Sequence, residues 1–192
     1  LKNDVLAHEA SLKLAKANFY KKDFDWTLQQ VKVLKQSPSL LIANDAVEMF
    51  LLIQDNSAED SLRVALQSYA TADLKLYQNK KEEALQLFLT ILQKHKGESI
   101  EEGTLFKVGK IYEEKGDFNK ALTYYQNILD NHKDGIYKDE ALFYSAEIYR
   151  KHLLDNEKAK ALYEKVVLEH PDSLYYTESR KQYRTLRGDS TI

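Results

Sequence analysis

The chain has no cysteine among its 192 residues. Disulfides, thiolate metal sites and cysteine nucleophiles are therefore excluded, and the compartment is left open. Proline occurs twice and glycine six times, too seldom for a turn-rich β protein. No run of about 18 apolar residues is present, so no stretch reads as a membrane-spanning helix. Neither sign of charge dominates. Lys and Arg number 28 against 30 Asp and Glu, and the net charge of −2 leaves no general footprint for nucleic acid or an anionic membrane. What is plentiful is apolar and charged residue together, 43% and 30%, enough for a sizeable core in one long domain or two short ones. The chain opens Leu1-Lys2-Asn3-Asp4 without an initiator Met or a signal pattern, so the expectation is a piece of a longer protein.

The most informative stretch is Gly103 to Lys133. Leu105, Val108, Gly109 and Tyr112 fall at offsets 0, 3, 4 and 7, one face of a helix. Phe118, Ala121, Leu122, Tyr125, Ile128 and Leu129 repeat that spacing further on. Between them, Lys115-Gly116-Asp117 supplies a left-handed stop and then an N-cap. This predicts a helix, a tight turn and a second helix folded back on the first. Gly109 and Ala121 sit where the two should cross, and Tyr112, Phe118 and Tyr125 fill the space around them.

This order of small and aromatic residues resembles the 34-residue tetratricopeptide repeat. Lys133 departs from it at the last position, where the family favours Pro. A second copy follows. Leu142, Ser145, Ala146 and Tyr149 form its first helix face, and Ala159, Tyr163, Val166 and Pro171 carry the signature of the second. Its turn, His152-Leu153-Leu154-Asp155, is one residue longer. Upstream the pattern weakens. Asp23-Phe24 repeats the turn, with Ala15, Thr27 and Val31 in place of Gly109, Ala121 and Tyr125. Trp26 beside it is expected to pack. Ala84, Phe88 and Ile91 mark one further second helix.

The resemblance implies an all-α, right-handed α-solenoid of antiparallel helix pairs, about ten helices in a single domain over residues 1–192. Degenerate repeats are expected at 4–56 and 57–96, clear repeats at 102–135 and 139–173, and a capping helix at 172–187. The expected helices start near Asp4, Phe24, Leu40, Ser57 (as a cap), Lys81, Phe118, Tyr137 and Asp172, with the two remaining starts left unplaced. Gly188 should end the last, with Asp189-Ser190-Thr191-Ile192 fraying. The closing segments are also similar to the C-terminal parts of long bacterial cell-envelope repeat proteins, and to exported ones that help outer-membrane assembly and the Tol–Pal system. That likeness implies a periplasmic or envelope location.

Chemistry is sparse. His8, His95, His132, His152 and His170 are scattered, and His8-Glu9 lacks a second His four residues on. Gly103, Gly109 and Gly116 are too far apart for a phosphate loop. Glu82-Glu83, Glu101-Glu102 and Glu113-Glu114 are adjacent in sequence and so diverge around their helices. Arg180, Lys181, Arg184 and Arg187 fit a soluble cap with cations near a helix C-terminus. No catalytic constellation can be assembled. The expectation is a non-catalytic chain with no metal, no cofactor and no nucleic-acid partner.

The resemblance implies that the first helix of each repeat lines a groove for a protein or peptide. Its groove positions are Phe106, Lys110 and Glu113, then Phe143, Glu147 and Arg150. The two phenylalanines either anchor an apolar side chain of a partner or pack between neighbouring helices. The Lys and Asn clamp with which chaperone-binding members hold a C-terminal carboxylate is missing at the matching places, so chaperone tails are not expected partners. The alternative function is a structural spacer. Helix one, with Val5, Leu6, Ala7, Ala10, Leu12, Leu14, Ala15, Ala17 and Phe19 around it, lacks a clear polar face and leaves room for packing on preceding repeats or for a homodimer through the N-terminal helices.

Overall fold

The computed structural model describes residues 5–58, 62–132 and 134–189. Asp4, Lys133 and the tail from Ser190, about which the sequence raised expectations, lie outside them. Ten α-helices account for the fold, with no strand among the described residues. They are α1 (Val5–Tyr20), α2 (Phe24–Leu34), α3 (Leu40–Ala58), α4 (Val64–Tyr77), α5 (Lys81–Lys94), α6 (Ile100–Glu114), α7 (Phe118–Asn131), α8 (Lys138–Ile148), α9 (Asn156–Glu169) and α10 (Tyr176–Arg187). This is the α-solenoid class, built of helix pairs. The chain divides into two compact units, Leu1–Thr104 and Leu105–Ile192, and the division falls inside α6.

In the first unit α1 pairs with α2, and α4 with α5, while α3 packs on both α1 and α2. Leu12, Ala15, Val31, Leu34, Ile42 and Ala46 form a buried cluster across α1, α2 and α3. A run of edge-to-face rings continues it: Phe19 lies 5.5 Å from Phe24 and 6.5 Å from Tyr69, and Tyr69 lies 5.3 Å from Phe88. Such pairs add roughly 0.5–1.5 kcal/mol each beyond the area they bury. Thr27, in the small-residue position of α2, is fully buried because its hydroxyl donates to the Asp23 carbonyl at 2.7 Å. Trp26 does not pack as expected: it is 55% exposed.

Ser57 does not cap a helix either. The Asn56 amide donates to the Leu52 carbonyl and the Ser57 hydroxyl to that of Ile53, so both side chains serve the end of α3. α3 therefore runs past Ile53 to Ala58, and α4 starts only at Val64. The polar triplet looked like a start signal because the same side chains can serve either end of a helix.

The turns within pairs share one geometry. The residue before the second helix's cap is left-handed each time: Lys22 at φ 67°, Asn79 at 59°, Gly116 at 77° and Leu154 at 55°. The amides of Asp23, Lys80 and Asp117 then donate five residues back, to Asn18, Lys75 and Tyr112. Asp23, Asp117 and Asp155 also accept from the backbone amides of Trp26, Lys120 and Lys158 at 3.4, 3.3 and 3.1 Å. The longer turn after α8 keeps this form. Its extra residue is taken up by one π turn, Tyr149–Leu153, and the Asp155 amide donates six residues back, to Tyr149.

In the second unit α7 packs on α8, α8 on α9 and α9 on α10. Gly109, Ala121, Ala146 and Ala159 are all buried. A Cβ added at Gly109 would stand 2.5 Å from Tyr125 Cε1. α10 starts at Tyr176, four residues later than expected, because the Ser173 hydroxyl accepts from the Tyr175 amide at 3.0 Å and turns the chain. Gly188, at φ 88°, ends it as expected.

Two stability changes follow from these geometries. Gly109→Ala, although alanine is the better helix former, is expected to lose about 1–3 kcal/mol in denaturant unfolding, because a fully buried Tyr125 cannot yield. Leu154→Gly is expected to gain about 0.5–1 kcal/mol, read as a higher denaturant midpoint. It relieves a left-handed leucine that is 76% exposed and so buries little.

Candidate functional site

The six residues expected to line a groove all belong to the second unit, on α6, α8 and the π turn after α8. Phe106 and Phe143 are each half-buried. Phe106 stacks on Tyr137 at 4.9 Å and meets Tyr144 at 5.9 Å. Phe143 stacks on Tyr175 at 4.5 Å and stands edge-on to Tyr163 at 6.2 Å. Both rings are thus in contact with neighbouring helices or turns.

The charged members are held in pairs. Lys110 Nζ lies 2.9 Å from Glu113 and 3.6 Å above the Tyr144 ring. The Tyr125 hydroxyl donates to Glu113 at 2.8 Å. One repeat on, Arg150 donates to Glu147 at 3.0 Å and to the Tyr163 hydroxyl at 3.1 Å. Tyr163 and Lys151 also bond to Glu147. In each repeat a buried tyrosine of the second helix is tied to a carboxylate of the first. The order is reversed, however: Lys110 then Glu113 becomes Glu147 then Arg150.

These contacts shift the ionisations. Burial, and then the Glu113 carboxylate, drives the Tyr125 phenol far above its ordinary value. Burial and the Glu147 bond do the same to Tyr163. For Glu147 burial pushes the carboxyl up, but donors from Lys151, Tyr163 and Arg150 outweigh it and hold the group below the usual carboxylate range. Its side chain is only 12% exposed.

A cleft of about 460 Å³ opens here, and Glu113, Phe143, Glu147 and Arg150 line it. Phe106 and Lys110 are not in its lining, although both meet Tyr144, which is. Tyr144, Ile148, Lys151, His152 and Glu178 complete the walls, and the sequence had placed none of them in a groove. A signal for two of them existed: Tyr137, Tyr144 and Lys151 recur every seven residues, one stripe of helix. His152 enters through the π turn and stacks on Phe118 at 3.9 Å, which no spacing rule announces.

A second concavity, of about 680 Å³, lies on the opposite side of α8, between α7 and α9. One wall is a row of polar side chains that bond along α7, Gln126 to Asp130 and Asn131 to Asn127, both at 2.8 Å. It holds fewer rings and fewer charges than the first.

Two stretches, residues 104–135 and 140–173, match a family model, and apart from Thr104 both lie in the second unit. The model is that of the tetratricopeptide repeat, so these two stretches are similar to that family. Repeats of this family generally mediate protein–protein interaction and are typically not catalytic. No curated protein matches the chain. Among the described residues no helix is long and apolar enough to cross a membrane.

The Glu147 arrangement carries a pH dependence. A carboxyl held below its unfolded value near 4.5 contributes stability above that pH, and loses it as pH falls through the folded value. Glu147→Gln is therefore expected to cost about 1–3 kcal/mol at pH 7, and the gap from wild type should close as pH drops below about 4.5. Denaturant unfolding at both pH values checks this.

Proposed function

We propose that the second unit is a protein-interaction module that takes a segment of a partner protein into the cleft on the α6–α8 side, and that it catalyses no reaction. The observation that carries this reading is the cleft itself. Phe143 and Tyr144 offer aromatic surface, while Glu113, Glu147, Arg150 and Lys151 set alternating charge around it. Rings supply desolvation energy at low entropy cost, and paired charges around them set register. The charges are already neutralised within the chain, so they select among partners more than they attract one. The partner this chemistry suits is a segment with an apolar or aromatic anchor flanked by polar residues of both signs. The implied envelope location and the spacer alternative have no comparable observation behind them.

A peptide-display selection against the whole chain tests this. Selected ligands should lose at least about tenfold in affinity with Phe143→Ala or Lys151→Glu. They should keep it with Leu168→Ala, since Leu168 is exposed on α9 outside both concavities. Circular dichroism checks that each variant stays helical. Ligands that bind all variants equally place the contact elsewhere.

A further inference from the structure

α1 presents two unlike faces. Leu12, Ala15 and Phe19 turn inward and are buried. Opposite them Leu6, Ala10, Leu14 and Ala17 follow at offsets 0, 4, 8 and 11, which places them on one stripe. All four are exposed, Leu6 by 70% and Leu14 by 56%. The flanks of α1 are taken: Lys16 bonds to Asp45 of α3 at 3.1 Å, and the Asn18 amide donates to Gln30 of α2 at 2.9 Å. A single exposed leucine needs no explanation, but an ordered stripe of alternating large and small apolar residues does.

We propose that this stripe pairs antiparallel with the same stripe of a second copy of the chain. The argument is self-complementarity. A two-fold axis between the two copies, level with residues 11 and 12 of α1, sets Leu6 opposite Ala17 of the second copy, and Ala10 opposite its Leu14. A large side chain then meets a small one at each level, and the helices can approach closely. A parallel pair would set leucine on leucine and alanine on alanine. The charges agree with the antiparallel choice. Glu9 and Lys13 are exposed on one flank of the stripe. In an antiparallel pair each flank meets itself, so Glu9 faces Lys13 of the second copy and Lys13 faces its Glu9. One helix of 16 residues covers less than a standard interface, so the dimer should dissociate in roughly the micromolar range. The pairing uses the first unit alone and is independent of the cleft in the second.

Sedimentation equilibrium on the whole chain, from about 1 µM to about 1 mM, should show a monomer–dimer equilibrium. Leu14→Asp should raise its dissociation constant at least about tenfold. It should leave the helical signal unchanged, because Leu14 takes no part in the core. Glu9→Lys and Lys13→Glu should each weaken the dimer several-fold, and the double swap should restore it. A strict monomer over the whole range overturns the proposal and leaves the stripe as a seat for a different chain segment. A dimer indifferent to Leu14→Asp, or a double swap no tighter than the single ones, overturns it equally.

Discussion

The second unit depends on one close approach. Gly109 lets α6 pass so near α7 that the ring of Tyr125 lies where a side chain would begin. Tyr125 can then be fully buried and still reach Glu113 with its hydroxyl. The apolar body of the ring stabilises the crossing and its polar tip fixes the rotation of the helix that carries Glu113. Where the approach recurs, between Ala146 and Ala159, Tyr163 plays the same part with Glu147. The pairing of helices and the placing of charge on the cleft wall are therefore one event. Neither tyrosine could be so deep if its hydroxyl lacked an acceptor, since an unpaired buried polar group costs about 1–3 kcal/mol.

Much of this could be read from residue spacing. Small residues at the crossings, Asp caps and Gly188 are local signals with local causes, and the helices from Lys81 onward appear close to where those signals place them. The failures are of two kinds. Ser57 and Asp172 looked like starting points because short polar side chains serve helix ends, helix starts and turns alike, and only the backbone decides which. Trp26 looked like packing because large rings usually are, yet α2 turns it outward.

The cleft was half legible. Four of its lining residues follow from the repeat, because a repeat fixes which side of a helix faces inward. Tyr144, Ile148, Lys151, His152 and Glu178 were not read as groove residues, since their positions depend on how α8, its π turn and α10 come together. The stacking of Phe106 on Tyr137, and of Phe143 on Tyr175, likewise joins residues more than thirty positions apart. Periodicity describes one helix at a time and says nothing about which ring meets which across a gap.

The π turn after α8 shows how the architecture tolerates a change in length. An inserted residue within a helix would rotate everything beyond it by about 100° and expose the side chains that Ala159 and Tyr163 now keep inside. Here the surplus is swallowed within five residues, and Asp155 still caps α9. The turn works as a mechanical buffer that uncouples chain length from helix phase. Length variation among such modules has a natural home at this joint, and a loop grafted there could lengthen the hairpin without disturbing the crossing beneath it.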